Sequence, residues 1–159
     1  MASTITSATM KVTLFEQINL NGSEQGSKNT LSISGINEIS KRIVTITTTE
    51  STIATFSAAV ASAGHYVAAD VRYIRFTNKD DTNFITLTFR NQDNDEAAIK
   101  LDAGQSFIWN GDNANGMTAV LNATEDADAA SSTNFGSLTN IQADADTASC
   151  DLEVFIASV

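Results

Sequence analysis

The stretch VRYIRFTNKDDTNFITLTFR, residues 71–90, decides the fold. Two alternating runs, 71–77 and 83–90, flank the polar residues Asn78, Lys79, Asp80, Asp81 and Thr82. Ile74 and Phe76 share one face of the first run; Ile85, Leu87 and Phe89 share one face of the second. β-Branched and aromatic residues at a period of two suit a half-buried pleated surface. The spacing predicts a β-hairpin closed by the polar residues. Its opposite face carries Val71, Tyr73, Arg75, Phe84, Thr86 and Thr88, which is more polar but still holds two rings. A sheet with one apolar face must bury it against a second layer. The rest of the chain has to supply that layer.

Towards the N-terminus, residues 10–20 alternate, with Val12, Leu14, Ile18 and Leu20 expected inward and Phe15 on the other side. Asn21 and Gly22 open a strong turn signal. Residues 29–33 return as a strand with Leu31 and Ile33 inward, giving a first hairpin. Residues 1–9 are small and polar and read as an N-terminal arm that a neighbour orders. Residues 39–47 form a strand with Val44 and Ile46 on one face and Ile43 on the other. A short strand follows at 52–56. The alanine-rich run 56–63 predicts a short helix stopped by Gly64, with His65 in a loop.

Towards the C-terminus, strands are expected at 97–101, 106–110, 117–122, 138–143 and 151–157, separated by acidic or Asn/Gly-rich turns. Phe107 and Trp109 share a face. The total is about nine or ten short strands with turns every 8–12 residues, the pattern of an all-β sandwich or barrel. The expected organisation is an arm over 1–9 and a single jelly-roll-like β-sandwich domain over 10–159.

Composition narrows the function. The chain has 159 residues, 42% of them hydrophobic, and a net charge of −10 from 19 acidic and 9 basic residues. Nucleic-acid binding requires a basic footprint, and anionic membranes repel such a chain. The N-terminal residues lack the basic and apolar regions of a signal peptide, and no apolar run approaches a membrane span. The expectation is synthesis in the cytoplasm. One cysteine, Cys150, excludes an intrachain disulfide and reads as a small buried hydrophobe.

Catalytic signatures are missing. A single histidine without a nucleophile motif does not make a triad. One Cys and one His do not make a zinc site, and no phosphate-binding glycine loop occurs. Carboxylates cluster at Asp80/Asp81, Asp93/Asp95/Glu96, Glu125/Asp126/Asp128 and Asp144/Asp146. The run from Asp93 to Glu96 offers hard oxygen ligands for calcium, but without the EF-hand spacing and glycine it reads as a solvated turn. Nothing fixes a glycosidase pair of carboxylates. No cofactor, metal site or enzymatic activity is expected. Trp109 reads as a core-packing residue, or alternatively as a sugar platform.

The segments NEISKRIV at 37–44, VRYIRFTNKDDTNFITLTFRN at 71–91, IKLDAGQSFIWNGDN at 99–113 and DTASCDLEVFIAS at 146–158 resemble small virion structural proteins of marine tailed phages, cyanophages included. The resemblance implies a β-rich, non-enzymatic protein built into the particle in symmetric copies. The first reading is a capsid decoration or cement protein in the virion, contacting the major capsid protein or other virion proteins. A tail, neck or fibre-attachment component is the alternative within that class. A carbohydrate-binding host-recognition module is the alternative outside it. A homo-oligomer is expected, a trimer by analogy with decoration proteins. Aromatic residues and Arg are enriched in interface cores, so Met10, Phe15, Tyr73, Arg75 and Phe84 are the candidate interface residues.

Overall fold

The computed structural model describes residues 5–110 and 138–159. These residues form thirteen strands and no helix. In order they are β1 (Ala8–Phe15), β2 (Asn19–Leu20), β3 (Ser23–Glu24), β4 (Lys28–Ile36), β5 (Glu38–Ile46), β6 (Ser51–Ser57) and β7 (His65–Val67). There follow β8 (Val71–Asn78), β9 (Ile85–Asn91), β10 (Glu96–Leu101), β11 (Ser106–Asn110), β12 (Leu138–Ala145) and β13 (Cys150–Ser158). The all-β expectation holds. The excess over about nine strands comes chiefly from β2, β3 and β7, which have two, two and three residues. The expected strand at 117–122, its flanking loops and the carboxylates at 125–128 lie outside the described residues.

Two sheets make up the body. One has the order β10-β9-β12-β6-β7 and the other β11-β8-β13-β5. Neighbours are antiparallel except β6 and β7, which run parallel. Residues 71–90 are therefore not a hairpin. Strand β8 pairs with β11 and β13, and β9 pairs with β10 and β12. The polar linker carries the chain from one sheet to the other.

Local hydrogen bonding explains that crossing. Asn78 is buried, and its Nδ2 donates to the carbonyls of Asn83 at 2.9 Å and Leu101 at 3.1 Å. Its Oδ1 accepts from the Asp80 amide at 3.0 Å. Asp80 Oδ1 then accepts from the amides of Asn83 and Thr82, at 2.6 and 2.8 Å. Those bonds hold the Asp80 carboxyl below the ordinary carboxylate range. The linker is thus held by the Asn78 and Asp80 side chains and by carbonyls distant in sequence, Leu101 and Asp151, which leaves both strands free to pair elsewhere.

The apolar faces chosen by alternation do meet, across the space between the sheets. Ile74 and Phe76 of β8 share one core with Ile85, Leu87 and Phe89 of β9. β12 adds Ile141 and Ala143; β13 adds Leu152, Val154 and Ile156. Phe107 and Trp109 pack on its margin, with ring centroids 5.4 and 5.9 Å from that of Phe89. Cys150 is buried, as the sequence suggests, and its thiol donates to Ala148 O at 3.4 Å.

Two further expectations are corrected. No helix forms at 56–63: Phe56 is buried at the end of β6, and that packing outweighs the local alanine propensity. His65 lies in β7, opposite Thr55, not in a loop. Beside it, Tyr66 donates its hydroxyl to Ser40 Oγ at 3.0 Å, and Arg42 Nη2 donates to Ile53 O. These bonds tie β5 to β6 and β7 along one seam of the body.

The first hairpin forms, with β1 antiparallel to β4, but as a separate two-stranded ribbon. Its β2–β3 tip closes through Asn21 and Gly22, with φ of 53° and 81°. Two successive positive φ values fit the twist of a two-residue hairpin and favour Asn-Gly. The last two residues of the expected arm, Ala8 and Thr9, already belong to β1.

Core packing gives a direct test of the inward face. Phe89→Ala should lower unfolding stability by about 3–5 kcal/mol, read as a shift of the denaturant midpoint. A negligible shift would mean that Phe89 does not face the core.

Candidate interaction surface

The ribbon lies against the outer face of the β11-β8-β13-β5 sheet. Tyr73 of β8 and Ala157 of β13 point away from the main core. They form a second cluster with Ile33 and Ile36 of β4, flanked by Met10, Val12, Leu31, Phe155 and Val159. A register shift between Ala8 and Met10 and the positive φ of Gly35, 79°, bend the ribbon where it leaves β5. A Cβ at Gly35 would meet Val159 Cγ1 at 3.4 Å.

Tyr73 and Phe155 meet edge to face at 5.7 Å between centroids. Burial raises the Tyr73 phenol above its ordinary value, and the neighbouring Arg75 charge opposes that rise. Between β1 and the sheet runs an open cleft of about 320 Å³, floored by Tyr73, Arg75 and Phe155. Arg75 is held on this floor. It donates to Glu153 Oε1 and Thr77 Oγ1, each at 2.5 Å, and its guanidinium lies 5.8 Å from the Phe155 ring centre. Lys41 reaches the other Glu153 oxygen at 3.5 Å. The Arg75 hydrogen bond, followed by the charges of Arg75 and Lys41, holds Glu153 below its ordinary value.

The five residues singled out in the sequence fall in three places. Met10, Tyr73 and Arg75 line the cleft under the ribbon. Tyr73 is buried there by the chain's own strands. Phe15 lies further along β1 and is 62% exposed. Phe84 precedes β9, on the other sheet, with Lys100 Nζ 4.5 Å from its ring centre. The pattern that grouped Tyr73 with Phe84 assumed a hairpin that does not form.

Several large apolar side chains stand in solvent, three of them against the expectation from sequence. Leu14, Ile18 and Leu20 were expected inward; they are 52%, 52% and 58% exposed. β1 ends at Phe15 and residues 16–18 lie in no strand, so the alternation through Val12 and Leu14 does not carry on to Ile18 and Leu20. Ile39 and Ile43 on β5 are 57% and 63% exposed on the outer face of the edge strand. Ile43 was placed correctly on the face away from Val44 and Ile46.

The remaining chemical candidates are built into the fold. The 91–95 turn is closed by Asn91, whose Oδ1 accepts from the amides of Asp95 and Asp93 at 2.8 and 2.9 Å. Asp144 is raised by burial, and Glu50 adds like-charge repulsion. Among the described residues no group of three or more His, Cys, Asp or Glu side chains is placed to hold a metal ion. Trp109 is half-buried against Phe89 and Phe107.

No family model matches the chain, no curated protein matches it, and no solved structure matches it.

The ion pair gives a pH prediction. Because the folded Glu153 value is depressed, its stabilising contribution is complete above the ordinary value of 4.5 and disappears as pH falls through the lower folded value. An NMR titration should place the Glu153 carboxyl midpoint below 4.5. Arg75→Gln should move it upward; an unmoved midpoint would rule out the pairing as the cause.

Proposed function

We propose that the chain is a non-enzymatic virion structural protein, a decoration or cement protein of a tailed-phage capsid, and that its domain is an eight-stranded jelly roll. The strand orders support the fold reading. With β7 and the ribbon set aside, the sheets run β5-β13-β8-β11 and β6-β12-β9-β10. Interlocked Greek keys produce this alternation, in which successive strands mostly change sheets.

The observation that carries the functional reading is the ribbon. Its root is packed on the body, and its outer half presents Leu14, Phe15, Ile18 and Leu20 to solvent. Exposed apolar side chains gathered on one short segment mark a place for another macromolecule to sit. With the resemblance to virion proteins, that surface fits a protein which spans a joint between capsid subunits, and a symmetric homo-oligomer, a trimer in the favoured form.

The test is reconstitution on phage particles lacking this chain. Purified protein should co-sediment saturably at hundreds of copies per particle and raise the temperature at which heads rupture. About a dozen copies would assign it instead to the neck or a fibre, and no binding would overturn the virion role. Binding to a glycan array without particle binding would favour a carbohydrate-recognition module.

A further inference from the structure

We infer that the exposed half of the ribbon docks on a second copy of this chain, over the outward row of β5 that carries Ile39 and Ile43. Three observations converge on that occupant. The first is continuity. Met10, Val12, Leu31 and Ile33 pack on the outer face of the β11-β8-β13-β5 sheet. The same ribbon face continues into Leu14, which is 52% exposed. The surface already suited to this stripe is thus the outer face of that sheet, and every copy carries one.

The second is the available target. Ile39 lies opposite Ala157, and Ala157 opposite Tyr73, so the ribbon root and the β5 row are neighbours on one surface. The root covers Tyr73 and Ala157 but leaves Ile39 and Ile43 in solvent. β5 is also the outermost strand of its sheet. Its Lys41 is engaged by Glu153, so this row presents no unpaired cation to an apolar ribbon.

The third is charge. Within β1 to β4, Lys11 and Lys28 balance Glu16 and Glu24, and the residues before β1 carry no charged side chains. The net charge of −10 therefore lies entirely beyond the ribbon. Two bodies brought together directly repel one another. The ribbon is the neutral part of the molecule, and it approaches an acidic body without that penalty.

The contact joins different surfaces on the two copies. Such a contact is head-to-tail and closes into a ring where its rotation permits. The inference rests on the homo-oligomer part of the proposed function but not on the virion role, since it is read in solution without particles.

Two variants test it. One carries Leu14→Ser, Ile18→Ser and Leu20→Ser; the other carries Ile39→Gln and Ile43→Gln. Sedimentation velocity should show a closed oligomer for the wild type and monomers for each variant, with self-association weakened at least tenfold. All replaced side chains are more than half exposed, so the melting curves should stay close to the wild type. If a multiple variant fails to fold, Leu14→Ser and Ile43→Gln are compared singly. Mixing the two variants should restore one contact, ribbon of one to β5 of the other, and give a heterodimer. A wild type that remains monomeric throughout the micromolar range overturns the inference. So does a mixture of folded variants that never passes monomer mass.

Discussion

The structure depends on the crossing between β8 and β9. Both strands have one strongly apolar face, and a hairpin would place those faces side by side in one sheet. The crossing sets them opposite one another, so each becomes the other's cover. Asn78 makes this possible from a buried position by satisfying the Asn83 and Leu101 carbonyls. A buried polar group left without a partner costs about 1–3 kcal/mol. Asp80 accepts from the Thr82 and Asn83 amides, so these two amides of the crossing are paired.

Much of the fold was legible in the sequence because alternation reports which face a residue occupies. Ile74, Phe76, Ile85, Leu87 and Phe89 are all buried as their spacing indicated. Alternation does not report the partner strand. Five polar residues can close a hairpin or bridge two sheets, and partners of the crossing such as the Leu101 carbonyl are distant in sequence from Asn78. The alanine-rich run after β6 failed for a related reason: its helical propensity was weaker than the pull of Phe56 into the core.

The candidate surface was less legible. An inward-looking stripe on β1 promises burial only if the layer beneath is long enough, and strand length in that layer is a tertiary property. Leu14 ends the β1 stripe half in solvent, and Ile18 and Leu20 lie beyond the end of β1. Tyr73 shows the converse. It was grouped with interface residues for its type, but β4 folds back over it. A signal was present in the charges: the first 36 residues are neutral in a chain of net charge −10. That contrast marks the N-terminal ribbon as electrostatically distinct from the body, and the proposed function gives the distinction a use.

The most direct test of this account is a set of backbone NOEs in the native protein. The crossing predicts cross-strand contacts between Phe76 and Val154, and between Leu87 and Ile99, which are register partners in separate sheets. It also predicts no ladder of backbone contacts between residues 71–78 and 85–91. A ladder joining those two strands, with the Phe76–Val154 contact missing, would contradict the account.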